Sequence, residues 1–232
     1  MKRVASFSGG KDSTAMILRL IKEGRPLDEI VFFDTGWEFP QMYNHIDKFE
    51  RYIGMPITRL HPRRPFDYWM CTKPIVRRKK SCPMHGKVYR YGNGWPSFFR
   101  RWCTCEKISV IDQHCGNALQ YVGIAADESK RINMCLYPLV EWGMTEADCL
   151  QMCFDHGFNW GGLYNHFNRV SCFCCSLKGL DDYRTLRKDF PQLWRRMIEM
   201  GDNVSSPEGR QFNYGKTIRD LDARFAAEDE KE

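Results

Sequence analysis

The spacing of apolar residues changes several times along this chain, and each change marks an element. Arg3-Val4-Ala5-Ser6-Phe7 reads as a short buried strand, and after a polar stretch the pattern becomes helical through Ala15-Met16-Ile17-Leu18-Arg19-Leu20-Ile21. Gly24-Arg25-Pro26 stops that helix. Glu29-Ile30-Val31-Phe32-Phe33-Asp34 is a continuous apolar run closed by an acid, the pattern of a parallel strand buried on both faces. A returning helix from Gln41 to Tyr52 and a third strand, Ile57-Thr58-Arg59-Leu60, follow. The alternation then breaks. Residues 61–101 are rich in turn signals such as His61-Pro62-Arg63-Arg64-Pro65 and Gly92-Asn93-Gly94-Trp95-Pro96, so they predict an inserted loop or lid.

A helix from Arg101 to about Gly116 and a strand from Ala118 to Ala126 resume the pattern. Thr145 and Asp148 form a capping box for a helix to His156. Helices over Leu180 to Lys188, Pro191 to Met200 and Thr217 to Phe225 complete the chain, and the acidic tail is expected to fray. Strands alternating with helices predict an α/β fold around a mostly parallel sheet.

The polar stretch between the first strand and helix is Ser8-Gly9-Gly10-Lys11-Asp12-Ser13-Thr14. Two glycines let the backbone approach a ligand, and free N–H groups at a helix start favour an anion. Lys11 adds a positive charge, Ser8, Ser13 and Thr14 add hydroxyls, and Asp12 adds a carboxylate for a metal ion or a loop amide. A Walker loop is excluded, because Ala5 stands at its first glycine and Asp12 follows the lysine. A tight turn without a ligand is the plain alternative. Ligands of open α/β sheets lie beyond the carboxyl ends of strands, which places Asp34, Thr35 and Gly36 beside this loop.

Ser8-Gly9-Gly10-Lys11-Asp12-Ser13 resembles the PP-loop, SGGxDS, of the ATP pyrophosphatase superfamily. That resemblance implies a loop that holds the pyrophosphate of ATP while the bond between the α and β phosphates is broken. A narrower resemblance, to the PAPS reductase family, rests on Phe33-Asp34-Thr35-Gly36 with Glu38-Phe39-Pro40, on Tyr121 to Arg131, and on Tyr137-Pro138-Leu139 with Glu141-Trp142 leading into Thr145-Glu146-Ala147-Asp148. It covers roughly residues 1–190.

The resemblance implies a three-layer fold of the adenine nucleotide α-hydrolase type. In it Ser8, Gly9, Gly10, Lys11, Asp12 and Ser13 would hold the nucleotide, with Asp34 and Gly36 near the nucleoside and Gly123, Asp127, Glu128 and Arg131 across the cleft. Lys11, Asp12 and Ser13 would carry catalysis with ATP or a related adenine nucleotide and Mg²⁺. An acceptor would be adenylylated, and sulfur transfer would bring in a sulfur-donor protein. Ala125 stands where the family has an arginine, and no cysteine follows Cys175, so the C-terminal catalytic cysteine of assimilatory PAPS reductases is missing. A sulfonucleotide reductase using an unusual cysteine is the first alternative function.

Composition narrows the choice. In 232 residues, a 43% hydrophobic content supports one sizeable core with a small lobe. The division expected is a PP-loop domain over 1–190, containing a 61–101 insertion, and a helical extension over 191–232. No apolar run reaches membrane-spanning length, no signal-peptide segment fits before the loop, and a cytoplasmic protein is expected.

The net charge of +6 is unevenly placed: Arg59 to Arg101 holds twelve Lys and Arg against the single acid Asp67. Phe66, Tyr68, Trp69, Tyr89, Tyr91, Trp95, Phe98 and Phe99 are interleaved with these cations. Cations for phosphates and rings for bases compose a groove for RNA or DNA. The same residues also suit a solvated face over a small aromatic core. A second alternative function follows, a metal-stapled nucleic-acid-binding protein whose loop senses a nucleotide without turnover.

Eleven cysteines without a secretion signal argue for metal or redox chemistry. Cys172-Phe173-Cys174-Cys175 contains C-x-x-C, and two thiolates at that spacing can bind one metal from a single turn. Cys103 and Cys105 are the natural second pair, with Cys172 and Cys175 the first, while Cys82 could replace Cys105 or Cys174, and His85 is an outside candidate. Iron–sulfur members of the resembled family pair an upstream cysteine cluster beside a basic residue, here Lys107, with a downstream C-x-x-C. The centre implied is a 4Fe-4S cluster or Zn²⁺, against buried free thiols. Cys115, Cys149 and Cys153 fall at helical core spacing.

Overall fold

In this computed structural model, residues 1–131, 135–213 and 215–230 are described, apart from the side chains of Ser129 and Arg131. The strands are β1 (Arg3–Phe7), β2 (Glu29–Phe33), β3 (Ile57–Leu60), β4 (Pro74–Val76), β5 (Val88–Tyr91) and β6 (Leu119–Val122). The helices are α1 (Lys11–Lys22), α2 (Pro40–Ile53), α3 (Trp102–Cys115), α4 (Pro138–Glu141), α5 (Glu146–Asp155), α6 (Leu163–His166), α7 (Leu180–Asp189), α8 (Pro191–Asp202), α9 (Pro207–Arg210) and α10 (Ile218–Asp229). They fall into two compact units, Met1–Pro62 with Lys107–Cys172, and Arg63–Glu106 with Phe173–Glu232.

In the first unit four parallel strands run in the order β3-β2-β1-β6, with Val4 opposite Glu29, Ile30 opposite Ile57 and Arg3 opposite Leu119. Successive side chains of a strand point to opposite faces, and here both faces are covered. Val4, Val31 and Phe33 pack against Ile111 and Cys115 of α3. On the other face Phe7 stacks on Phe49 of α2 at 5.1 Å and meets Phe32 edge-on at 6.4 Å. The fold is therefore α/β in three layers, with α1 resting on α5. Cys115 is a core residue, as its helical spacing predicted.

Two boundaries differ from the sequence pattern. Helix α1 begins at Lys11, four residues before its apolar period, because Ser13 and Thr14 are themselves buried in its first turn. Strand β6 stops at Val122 rather than Ala126, since Gly123 leaves the sheet where the start of α1 crosses it.

The second unit contains an antiparallel hairpin in the basic stretch expected to be loop. Strands β4 and β5 pair Pro74 with Tyr91, Ile75 with Arg90 and Val76 with Val88, with a bulge between the last two pairs. Trp95 is fully buried, packs edge-on against Phe212 at 5.0 Å, and donates its backbone N–H to the Gly209 carbonyl at 3.0 Å. A Cβ on Gly94 would stand 2.2 Å from the Gly209 Cα, so this approach needs glycine. Segment 63–106 thus falls in one compact unit with the C-terminal stretch. Among the described residues no helix is long and apolar enough to cross a membrane.

Because Ile111 fastens α3 to the sheet, Ile111→Ala is expected to lower unfolding free energy by about 2–5 kcal/mol in urea titrations. A loss below about 1 kcal/mol would show that this face does not hold the helix.

Candidate anion site at the first glycine loop

Strand β1 delivers the chain to Ser8, Gly9 and Gly10, and α1 starts at once. Gly9 has φ +77°, and a Cβ there would stand 2.4 Å from the Met42 sulfur. Gly10 caps α1 without any side-chain bond, which leaves the first-turn amides to other acceptors. Thr14 donates its hydroxyl to the Gly10 carbonyl at 2.9 Å. The Ser8 backbone N–H donates to Ser13 Oγ at 3.1 Å, and the two serine hydroxyls lie 3.0 Å apart. Gly123 lies against the same turn: a Cβ on it would come within 2.9 Å of the Ser13 backbone nitrogen. The sequence-predicted Ser8, Gly9, Gly10, Lys11, Asp12, Ser13 and Gly123 are therefore gathered in one place.

Oxygen atoms of three side chains occupy the donors an anion would use. The Lys11 backbone N–H donates to Tyr164 Oη at 2.8 Å, and Lys11 Nζ lies 2.5 Å from Glu146 and 3.1 Å from Asp12. Burial alone would lower the Lys11 pKa, but the bonds to Glu146 and Asp12 carry it above the ordinary lysine value. Burial likewise raises the Asp12 pKa, against the charge of Lys11. Asp127 accepts from the Glu146 backbone N–H at 3.3 Å, and Glu128 is near enough to Asp12 to repel it. At the end of β2, Asp34 Oδ1 accepts from the Gly36 N–H and from the Tyr43 hydroxyl, each at 2.7 Å. The side chain of Arg131 lies outside the described residues.

Behind the loop stands a wall that the sequence reading did not find, residues 158–164. Trp160 Nε1 donates to the Gly9 carbonyl at 2.7 Å. Among the described residues Trp160 is the only non-glycine with positive φ, at 50°, a strained position held by the packing of its indole 4.3 Å from the His45 ring. His45 Nε2 is 3.1 Å from Thr14 Oγ1. That hydroxyl spends its one hydrogen on Gly10, so Nε2 of His45 must be the donor, as in the neutral ring. Burial pushes the His45 pKa down to about 3, with Lys48 adding repulsion. Gly161-Gly162 beside Trp160 was the available sequence signal for this turn. Glu146 had none, because an acid in a helix's first turn is expected on dipole grounds alone.

The cysteines divide. Cys149 and Cys153 are buried on α5, where burial pushes the Cys149 thiol up to about 12 and raises Cys153, which donates to the Lys11 carbonyl at 3.4 Å. Their core role was read correctly. In the second unit, burial raises the Cys103 thiol, the Thr104 hydroxyl opposes this, and neighbouring Cys175 adds to the rise. Cys105 is exposed, Cys174 is buried, and Cys172, the last residue of the first unit, is half-buried. Among the described residues no three His, Cys, Asp or Glu side chains stand together as a ligand set.

Residues 2–114 match the model of the phosphoadenosine phosphosulfate reductase domain. Over this stretch the chain is similar to that family. The matched PAPS reductase domain contains the glycine loop and Asp34, whereas Glu146, Trp160 and Tyr164 lie beyond it. The chain is 28% identical over 235 aligned positions to Uncharacterized protein MJ0066 of Methanocaldococcus jannaschii, covering 92% of this chain and 43% of that protein. Against the nin region protein ORF290 of Escherichia phage lambda it is 29% identical, covering 57% and 51%. The chain thus spans about half the length of these relatives or less. An adenosine 5'-phosphosulfate reductase of Staphylococcus haemolyticus is 23% identical, covering 77% of this chain and 72% of that enzyme. Among solved structures, the U34-tRNA thiolase NcsA from Methanococcus maripaludis with its [4Fe-4S] cluster matches at TM-score 0.40 and 12% identity, over 97% of this chain and 73% of that one, too distant to bear on function.

Since His45 is neutral in the folded protein, the unfolded chain binds the extra proton below the ordinary histidine pKa. Its contribution to stability is then full above about pH 6.5 and falls toward pH 3, by up to about 1.4 kcal/mol per pH unit. His45→Gln is expected to flatten this acid limb in thermal unfolding measured from pH 7 to 4. An unchanged slope would rule out the neutral buried ring.

Proposed function

We propose that the loop Ser8 to Ser13 binds the pyrophosphate portion of ATP or a related adenine nucleotide, and that the bond between the α and β phosphates is broken to adenylylate an acceptor. The observation that carries this reading is the pair of oxygens already seated on its donors, Tyr164 Oη on the first helical amide and a Glu146 carboxylate on Lys11 Nζ. They mark where phosphate oxygens would be received.

The chemistry asked of the protein is positional and electrostatic. Lys11 and the α1 N-terminus stabilise charge developing on the departing pyrophosphate, while Ser8 and Ser13 orient it. Asp34, at the end of β2, and Gly36 line the nucleoside side, and Gly123, Asp127, Glu128 and Arg131 complete the opposite side. Mg²⁺ takes oxygen donors, usually one or two carboxylates plus substrate phosphates, and Asp12 in the first turn fits that role; the ion would neutralise phosphate charge. A sulfur or nitrogen nucleophile then displaces the adenylyl group, and a sulfur-donor protein would serve the first case.

Similarity to the adenosine 5'-phosphosulfate reductase favours a second reading, a sulfonucleotide held on the same loop whose sulfur is attacked by a cysteine thiolate with release of the nucleotide, and then freed as sulfite by a second, externally supplied thiol, leaving a disulfide. The two separate by product, pyrophosphate against sulfite.

For the thiols we propose a metal centre drawn from Cys103, Cys105, Cys172 and Cys175. Thiolates suit a 4Fe-4S cluster or Zn²⁺, but a tetrahedral site needs four ligands. Cys103 and Cys175 lie near enough for the charge of one to act on the other, and no step of the reaction is routed through the metal.

Lys11→Ala and Ser13→Ala are each expected to weaken Mg-ATP binding by about tenfold or more, the worth of one charge-assisted hydrogen bond. Melting temperature should fall in both, because Ser13 is buried and accepts the Ser8 N–H and Lys11 is buried between two carboxylates, so binding is compared on protein shown by circular dichroism to be folded. Glu146→Gln, which releases Lys11, should tighten binding severalfold. Calorimetry would read all three, and undiminished binding in both alanine variants would overturn the loop assignment.

Protein purified without oxygen is expected to contain iron or zinc, lost in Cys103→Ser and Cys175→Ser and kept in Cys115→Ser. Metal-free wild-type protein of full stability would reject the centre.

A further inference from the structure

In the second unit the turn joining β4 to β5 carries Arg77, Arg78, Lys79, Lys80 and Lys87, all exposed. None of the five is ion-paired among the described residues, and the nearest acids in sequence, Asp67 and Glu106, are engaged at Tyr68 and Arg63. The cations of the C-terminal helices are arranged differently. Arg184, Arg187, Arg219 and Arg224 each meet a carboxylate within 2.8 Å. A solvated face made for solubility mixes both signs, as those helices do. The hairpin instead accepts the mutual repulsion of like charges, and Arg78 depresses the Lys73 pKa beyond what burial does. Such an array is complete only with an anion of several charges.

Six rings of this segment sort into two groups, apart from Tyr68 and the exposed pair Phe98 and Phe99. Phe66, Trp69, Trp95 and Trp102 pack on one another as an interior cluster. Tyr89 and Tyr91 do not join it, and remain 40% and 55% exposed beside exposed Val76 and Val88. The Arg77 guanidinium lies 4.0 Å over the Tyr89 ring, a flat cation–ring pair at the base of the charged turn. Cations alone would suit any polyanion. Exposed rings among them suit one whose bases are unstacked, because a duplex keeps its base faces covered and an acidic peptide has none to offer.

We propose that the β4–β5 hairpin is a binding surface for single-stranded nucleic acid, with Arg77, Arg78, Lys79, Lys80 and Lys87 on phosphates and Tyr89 and Tyr91 stacking on bases. This surface does not depend on turnover at the glycine loop, and its test is separable from that reading.

The test is fluorescence anisotropy with a labelled 15-nucleotide strand, as DNA and as RNA, across a salt series. Neutralising about five phosphates of a single strand gives a slope of log affinity on log salt near −3 to −4. Changing Arg77, Arg78, Lys79 and Lys80 together to alanine should bring that slope to about −1. Tyr89→Ala with Tyr91→Ala should weaken binding at least tenfold, through stacking, while leaving the slope unchanged. Lys11→Ala should bind the strand like the wild type. Every substituted hairpin side chain is exposed, and an unchanged melting temperature would show that the variants are folded. Three results would each overturn the proposal. They are no binding at low salt, duplex bound as tightly as single strand with no effect of the tyrosine changes, or polyglutamate competing as well as the oligonucleotide. The last would mark the hairpin as a dock for an acidic protein.

Discussion

The bond from Trp160 Nε1 to the Gly9 carbonyl sets the conditions for the rest of the first unit. A peptide plane carries its C=O and N–H in opposite directions, so fixing that carbonyl on the protein side turns the following amide the other way. The orientation of the loop is thus decided by a residue 151 positions away in the chain, not by the glycines themselves. Glycine supplies the permission and tryptophan supplies the choice. The indole is held in turn by His45, and His45 by Thr14 in the first turn of α1, which closes a ring of contacts back onto the loop.

Such a ring explains why polar groups can be buried so close to an open site. Thr14 and His45 are both nearly inaccessible, and Thr14 Oγ1 donates to the loop backbone while accepting from His45 Nε2. Lys11 is treated differently. Its charge is balanced by two carboxylates, one on its own helix and one on α5, so an arriving anion exchanges ion pairs rather than finding a bare cation. For the anion proposed above, affinity would depend on a difference between two sets of charged contacts, with Glu146 as much a determinant as Lys11.

Much of this was legible before the structure. Strands β1 and β2 are mainly apolar runs bounded by turn residues, β3 is a short alternating one, and the loop between β1 and α1 carries its chemistry in consecutive residues, so local pattern was enough. The hairpin β4–β5 escaped because its strands have three and four residues and are mostly exposed, leaving no alternation to read. Trp160, Tyr164 and Glu146 escaped for another reason. Their roles are contacts across more than 130 residues of sequence, and a periodicity argument sees only neighbours. The extent of the second unit was hidden in the same way, since Trp95 and Phe212 look like two unrelated aromatic positions until they touch.

The meeting of Gly94 with Gly209 also bears on how such a chain can change over time. Two backbones in contact without an intervening side chain tolerate no Cβ on Gly94, so a substitution there has no compensating change in side-chain volume across the contact. The stretches around residues 94 and 209 therefore constrain each other as a matched pair. Recombination between relatives that brought in one without the other would separate complementary halves of a single core.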